Sequence, residues 1–284
     1  MPDFPIIDSH VHLWDPARYR IPWLDDAPPL NRRFGPTEYR AQTAGVEIEA
    51  FVYVEVDIAP EYALLEARLA AATAQAEPRL KGIVASAPLE YGEQARPFLE
   101  ALAAVGSGVK GVRRLLQGEA DDAFCLRPGF VRGIELLAEH GFSFDLCVRH
   151  AQLPSVVELV RRTPAVPFIL DHIGKPAIKD GELDPWRERI AHLAALPNVV
   201  CKVSGLVTEA DPAAWTPDDL APYLAHILET FGEDRVLFGS DWPVATLAST
   251  YPRWVATLDA LTADLSPGAK RKLWAENARR VYRL

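Results

Sequence analysis

Eight short apolar segments, each followed by a longer stretch, constrain the fold more than any other feature of this sequence. Most of the segments are continuous runs rich in Val, Ile or Phe, as expected for parallel strands buried on both faces. Repeated strand–helix alternation predicts an α/β protein with a parallel sheet. The predicted strands are Pro5–His10, Ala50–Val56, Leu80–Ala85, Val109–Leu115, Phe142–Val148, Val166–Leu170, Val199–Val203 and Val236–Phe238.

Helical patterns fill the gaps between the strands, and two of them begin with clear start signals. The segment Thr216–Asp219 offers a Thr N-cap, a proline at the first helical position and acidic residues in the first turn. Ser266 and Pro267 repeat the cap-plus-proline arrangement. The predicted helices are Pro60–Ala76, Pro128–His140, Leu153–Arg162, Pro185–Leu196, Pro217–Phe231 and Pro267–Tyr282.

Eight strand–helix units in 284 residues favour a single (β/α)8 barrel, the TIM barrel, with residues 1–284 as one domain. No change in composition marks a linker. An open doubly wound sheet is the alternative, because one sequence does not fix the number of strands. No Gly-x-Gly-x-x-Gly motif follows a predicted strand, so dinucleotide binding has no support.

The formal net charge of −9 and the pI near 5.3 argue against nucleic acid or an anionic membrane as a partner, since both attract basic surfaces. The cysteines Cys125, Cys147 and Cys201 lack paired spacing, which predicts buried, reduced thiols. No secretory signal is visible, and no apolar run reaches the roughly 18 residues of a membrane span. We therefore expect a cytoplasmic protein without a membrane partner.

Chemically useful side chains fall where the predicted strands end. In a (β/α)8 barrel, the carboxyl ends of the strands form the active site. Four of the seven histidines (His10, His12, His150 and His172) and one aspartate, Asp241, lie at these ends. His10 and His12 are two residues apart, so both imidazoles face the same side of a strand. Neutral imidazoles that converge in this way suit a metal ion.

Three motifs extend this pattern to a family resemblance. They read IDSHVH at 7–12, LDHIGKP at 170–176 and LFGSDWP at 237–243, and Trp274–Ala278 also fits. Together they resemble the amidohydrolase superfamily, and more narrowly its sugar-lactonase branch of fuconolactonase-like and rhamnono-lactonase-like enzymes. The resemblance spans nearly the whole chain and implies a hydrolase with a (β/α)8 barrel.

The resemblance implies a role for each matching residue. His10 and His12 correspond to the histidine pair of the first strand, which binds metal in many members. Asp241 corresponds to the aspartate that acts as general base on water and also as a ligand in metal-bound members. His172 corresponds to a histidine that orients water or substrate. His150 falls where many members carry a further metal ligand on the fifth strand.

The number of metal ions follows from a departure from the family pattern. Binuclear members carry a carboxylated Lys or a Glu at the end of the fourth strand. Here Lys110 lies at the start of that strand, and Arg113 and Arg114 follow at its end. The resemblance therefore implies one divalent metal ion, zinc or similar, or none. Without a metal, Arg113 would polarise the substrate, and Arg114 is the second candidate; neighbouring strand residues face opposite sides, so only one is expected to meet it.

Residues 13–36 lack clean periodicity and predict a long structured loop over the catalytic face. The aromatic faces of Trp14, Trp23 and Trp242 would suit the apolar side of a sugar ring. Packing alone is the alternative for all three tryptophans, and packing of the loop against the outer helices is the alternative for the loop.

The site residues have structural alternatives as well. Asp241 could cap a helix, His172 could form hydrogen bonds within its own turn, and His150 could lie near solvent beside Arg149.

The resulting hypothesis is hydrolysis of a sugar-derived (aldono) lactone by a water that Asp241 activates. One alternative is a metal-dependent decarboxylase of the same superfamily, which would require zinc held by the complete set of His10, His12, His150 and Asp241. The other is a non-catalytic barrel that binds small molecules. A sugar lactone is the only expected partner, and a homo-oligomer stays open because barrel helices often expose an apolar face.

Overall fold

The computed structural model describes residues 2–284, in which eight parallel strands pair in sequence order. The strands are β1 (Ile6–Val11), β2 (Ile48–Val54), β3 (Leu80–Ala85), β4 (Val109–Arg113), β5 (Ser143–Leu146), β6 (Phe168–Leu170), β7 (Val199–Val203) and β8 (Val236–Phe238). The chain just after β8 closes the ring against β1, because His12 N donates to Trp242 O (2.7 Å) and Asp241 N donates to His10 O (2.9 Å). The predicted (β/α)8 barrel is confirmed.

Helices surround the strands, and their caps follow from the sequence. The helices are α1 (Pro36–Gln42), α2 (Ala63–Ala76), α3 (Arg96–Ala103), α4 (Pro128–Glu139), α5 (Leu153–Arg162), α6 (Trp186–Ala194), α7 (Leu206–Glu209), α8 (Pro217–Phe231), α9 (Tyr251–Leu261), α10 (Pro267–Arg271) and α11 (Asn277–Tyr282). At the start of α8, Thr216 N donates to the Asp219 carboxylate (2.7 Å). At the start of α10, Ala269 N donates to Ser266 Oγ (3.1 Å). Both predicted N-caps are confirmed.

The C-terminal segment covers one end of the barrel. Alternate strand residues point inwards, and at the amino ends of the strands this interior is apolar, with Ile7, Ile169 and Leu237 fully buried. Ala278 and Tyr282 of α11 pack against the same apolar cluster. This end of the barrel is therefore sealed, and solvent reaches the interior from the carboxyl ends of the strands.

The segment of residues 13–36 is an ordered loop. Its two ends pair, since Trp14 N donates to Phe34 O (2.8 Å) and Phe34 N donates to Trp14 O (2.9 Å). Between them, Trp23 Nε1 donates to Val56 O beyond the end of β2 (2.8 Å). The loop thus crosses the catalytic face of the barrel, as predicted.

None of the helices within residues 2–284 combines the length and the apolar character needed to cross a bilayer.

Candidate active site

The carboxyl ends of the strands enclose a cavity of about 250 Å³. Its floor is polar and its walls are largely apolar, a combination typical of small-molecule sites. The cavity is lined by His12, Trp23, Val56, Asp57, Arg113, Leu115, Gln117, Cys147, His172, Lys175, Asp241 and Val244.

At the floor, two imidazoles and a carboxylate converge. His10 Nε2 lies 3.1 Å from His12 Nε2, and Asp241 Oδ1 lies 3.7 Å and 3.4 Å from these two nitrogens. His12 Nδ1 donates to Val54 O (2.9 Å), which leaves its Nε2 as a bare acceptor. His10 Nδ1 lies 3.3 Å from Asp171 Oδ1 and 3.3 Å from Lys202 Nζ.

This donor set fits a divalent cation. The two ring nitrogens and the carboxylate oxygen lie within 3.7 Å of one another, as the ligands of a single cation would. Burial lowers the pKa of His10 well below its ordinary value, so the ring is neutral at physiological pH. Three protein ligands with further positions open are typical of catalytic zinc sites. The carboxylate of Asp171 lies behind the His10 ring, where metal-binding histidines usually have a carboxylate neighbour.

Asp241 also lies close to His172 on the floor of the cavity. The backbone of Asp241 is left-handed (φ 58°), and His172 Nε2 lies 4.0 Å from Asp241 Oδ1. Burial opposes ionisation of Asp241, but His172, His12 and His10 hold its pKa below its ordinary value. Burial lowers the pKa of His172 to about 4. At neutral pH Asp241 is therefore a carboxylate beside the neutral imidazole of His172. This carboxylate can take a proton from water.

Asp8 fixes the junction that carries these groups. Its Oδ1 accepts from Ser240 N (2.8 Å), and its Oδ2 accepts from Tyr39 Oη and Tyr251 Oη (3.0 Å each). Because Asp8 lies two residues before His10 and Ser240 directly precedes Asp241, this carboxylate fixes the candidate metal ligand His10 and the candidate base Asp241 relative to each other.

Two buried cations, Arg113 and Lys202, lie next to His10. Arg113 Nε donates to Glu55 Oε1 (2.5 Å), and Arg113 Nη1 lies 3.3 Å from Asp171 and 3.4 Å from His10 Nε2. Lys202 Nζ lies 3.0 Å from Asp171 Oδ1 and 3.3 Å from His10 Nδ1. Most of the Arg113 donors are therefore engaged with protein acceptors. The sequence prediction gave Arg113 a direct catalytic role, whereas its contacts are those of a positioning residue.

Two further charged groups were missed by the sequence reasoning. Lys202 Nζ donates to Asp145 Oδ2 (2.6 Å), which also accepts from Tyr282 Oη (2.7 Å). Both Lys202 and Asp145 are fully buried within strands. A charged residue inside an otherwise apolar strand was the available signal.

Four more polar residues of the cavity were not predicted as site residues: Asp57, Gln117, Cys147 and Lys175. Burial raises the pKa of Cys147 to about 12, which keeps it a thiol. Cys125 and Cys201 are also unpaired, and all three cysteines are buried as predicted.

His150 and Arg114 lie apart from the convergent ligands. His150 Nδ1 lies 3.3 Å from Arg189 Nη1 in a turn before α5, and it is absent from the group formed by His10, His12 and Asp241. Arg114 is not among the residues that line the cavity, and its guanidinium pairs with Glu90 and Glu119. The geometry thus gives no support to His150 as a ligand or to Arg114 as a substrate contact.

Of the three predicted tryptophans, some line the cavity and others do not. Trp23 lines the cavity. Trp242 is buried against Phe34 and Tyr39, and Trp14 packs edge-to-face on Phe34. Only Trp23 therefore presents a surface to a molecule in the cavity; the other two hold the loop over the barrel.

The sequence matches the amidohydrolase family over residues 7–284. The chain belongs to this family. The L-fucono-1,5-lactonase of Burkholderia multivorans is 35% identical to this amidohydrolase, with 98% of this chain and 96% of that protein aligned. The L-fucono-1,5-lactonase of Burkholderia ambifaria is 32% identical, with 98% and 95% aligned. A solved structure of an amidohydrolase from Burkholderia multivorans with bound zinc superposes with a TM-score of 0.89 at 34% identity, covering 99% of this chain and all of that one.

Proposed function

We propose that this amidohydrolase opens a sugar-derived (aldono) lactone to the corresponding sugar acid. The observation that carries the proposal is the Asp241 carboxylate, which lies within 4.0 Å of His10, His12 and His172 at the floor of a cavity of about 250 Å³. The resemblance to two L-fucono-1,5-lactonases along almost the whole chain supports a lactone as the substrate.

His10, His12 and Asp241 would hold one divalent cation such as zinc. The zinc in the related Burkholderia multivorans structure supports this assignment. A bound cation would supply Lewis-acid polarisation of the lactone carbonyl and would make water more acidic. Arg113 and Lys202 already place two positive charges beside His10. They leave little electrostatic reason for a second metal ion, which supports a mononuclear site.

The protein's own groups account for the proton transfers. Asp241 removes a proton from the attacking water as general base, and His172 beside it orients that water. When the ring bond breaks, Asp241 returns the proton to the leaving ring oxygen. Trp23 offers an aromatic face for the apolar side of the sugar, and the polar side chains of Asp57 and Gln117 can bind its hydroxyl groups.

The decarboxylase alternative requires His150 as a fourth ligand, and its position beside Arg189 disfavours that reading. A non-catalytic binding barrel would not need an ionised, buried carboxylate that faces two candidate metal-binding histidines. Neither alternative has an observation in its favour.

A panel of 1,4- and 1,5-aldonolactones, assayed by acid release with a pH indicator, tests the proposal. We expect turnover of at least one lactone by the purified protein. No acid from any lactone would contradict the proposed function.

Metal dependence is tested on the same active lactone. After exhaustive chelation we expect turnover to fall, and addition of zinc should restore it. Full activity of a protein shown by metal analysis to be metal-free would overturn the metal assignment, while lactone hydrolysis itself would stand.

A further inference from the structure

A left-handed turn directs two side chains into the cavity. Four consecutive residues after β6 have positive φ: His172 (53°), Ile173 (49°), Gly174 (74°) and Lys175 (48°). Lys175 N donates to His172 O (2.9 Å), so the turn has the three-residue repeat that places residues i and i+3 on the same side. His172 and Lys175 both line the cavity.

This backbone is costly, which marks the turn as functional. Left-handed conformation costs non-glycine residues roughly 1–2 kcal/mol each, and such strain concentrates at ligand-binding and active sites. The turn thus presents the imidazole of His172 and the ammonium of Lys175 together to the cavity.

The ammonium of Lys175 is held in place yet still has protons to donate. Its side chain is only 16% exposed, and Nζ lies 3.0 Å from Glu209 Oε1 on α7. Glu209 is its one hydrogen-bond acceptor among residues 2–284, which leaves two N–H groups for a ligand. The other cation of the cavity wall, Arg113, is engaged by Glu55, Asp171 and His10.

We propose that Lys175 is a catalytic residue that binds the carbonyl oxygen of the substrate as it becomes an oxyanion, and then the carboxylate of the product. This inference rests on the proposed lactone hydrolysis. A positive charge that is held in place and only 16% exposed stabilises developing negative charge more strongly than the same charge would in bulk water.

The lactone opens in two stages, which are addition of water to the carbonyl carbon and departure of the ring oxygen. The water oxygen bonds to the carbonyl carbon, a water proton moves to Asp241, and the carbonyl π electrons pass to the oxygen that Lys175 binds. The carbonyl then re-forms, the bond from carbon to the ring oxygen breaks, and Asp241 gives its proton to that oxygen. The carboxylic acid loses its proton to solvent, and Lys175 holds the resulting carboxylate until it leaves.

The test compares Lys175→Met with Lys179→Met, an exposed lysine in the same loop that loses the same charge. We expect Lys175→Met to lower kcat about 10²- to 10³-fold, as for the removal of one oxyanion donor, and Lys179→Met to leave it unchanged. By calorimetry, Lys175→Met should weaken binding of the sugar acid about tenfold or more, but not binding of the neutral cyclic ether that lacks the carbonyl. Lys175→Arg should recover part of the acid affinity.

Each outcome is informative. If Lys175→Met keeps a kcat within threefold of the wild type, the inference is wrong. Equal loss of affinity for the acid and the neutral ether would show that the lysine only shapes the cavity, and it would also overturn the inference. If Lys175→Met does not fold, Glu209→Gln provides the test: it frees the ammonium, and an unchanged acid affinity with unchanged kcat would argue against the role. A wild-type protein that opens no lactone would instead refute the proposed function, and the inference with it.

Discussion

Asp241 is a buried carboxylate whose pKa is held down by His172, His12 and His10 against the effect of burial. We expect Asp241→Asn, which keeps the shape but cannot accept a proton, to lower turnover at least ~100-fold. Steady-state assays on the active lactone measure this loss, and circular dichroism checks the fold. Asp218→Asn on the exposed first turn of α8 is the matched control and should retain wild-type turnover. Near-wild-type turnover of Asp241→Asn would remove the residue from the mechanism.

Lys202 is fully buried between Asp145 (2.6 Å) and Asp171 (3.0 Å). Lys202→Met leaves two buried carboxylates without their shared cation, so the free energy of unfolding should fall by about 3–5 kcal/mol. Urea unfolding measures the change. Lys272→Met removes a surface lysine, 30% exposed, that also pairs with two acids and should leave the unfolding midpoint almost unchanged. Equal effects of the two substitutions would show that the buried ion pairs of Lys202 contribute no more to the free energy of unfolding than the surface pairs of Lys272.

These residues also show which side chains of the site can be predicted from the sequence and which cannot. His10, His12, His172 and Asp241 were identified because each lies at or just beyond the carboxyl end of a predicted strand, where barrel geometry brings distant positions together. Lys202 has its partner 57 residues away, and the two meet only because the barrel closes to a particular radius. No local pattern encodes such a pair.

At the scale of elements, the sequence predicts strands better than short helices. All eight strands lie where continuous apolar runs predicted them, and α8 has the predicted bounds. Helices α1, α3, α7 and α9 were not predicted, and a π-helical turn (Lys272–Glu276) separates α10 from α11, predicted as one helix. Isolated helices of 4–11 residues gain most of their stability from tertiary packing rather than from local propensity, so their sequences carry a weak signal.

The connection between β7 and α7 depends on one glycine. Gly205 has φ 69°, and a Cβ there would lie 2.6 Å from His172 Nδ1. Gly205→Ala should therefore displace the imidazole and lower turnover about 10- to 100-fold. Gly232 has the same φ of 69° but open space around it. Gly232→Ala should cost about 1 kcal/mol of stability from backbone strain and leave turnover intact. Similar turnover of the two variants would show that the clash at His172 is unimportant.

At the scale of the whole molecule, the two ends of the barrel differ. The amino ends of the strands form an apolar, stabilising core, and the carboxyl ends carry the candidate active site. The apolar end is closed by α11, and the charged layer above it supports the candidate metal ligands. Outside this axis, one ionisable group stands out. Glu66 on α2 is buried, its Oε1 accepts from Tyr53 Oη (2.7 Å) and Val56 N (2.8 Å), and its Oε2 has no partner within the described residues.

Glu66 should make the global stability pH-dependent, because burial and the nearby Glu55 raise its pKa to about 8. The folded protein then keeps a proton that the unfolded chain releases above its ordinary pKa near 4.5. Stability from this group is present below pH 4.5 and is lost as the pH rises towards 8, by at most about 5 kcal/mol. Glu66→Gln keeps the acceptor for Tyr53 and removes the titration. In urea unfolding at pH 5 to 8, the variant should gain stability over the wild type as the pH rises, whereas exposed Glu61→Gln should follow the wild type. Parallel curves for Glu66→Gln and the wild type would mean that Glu66 is ionised in the folded protein throughout this range.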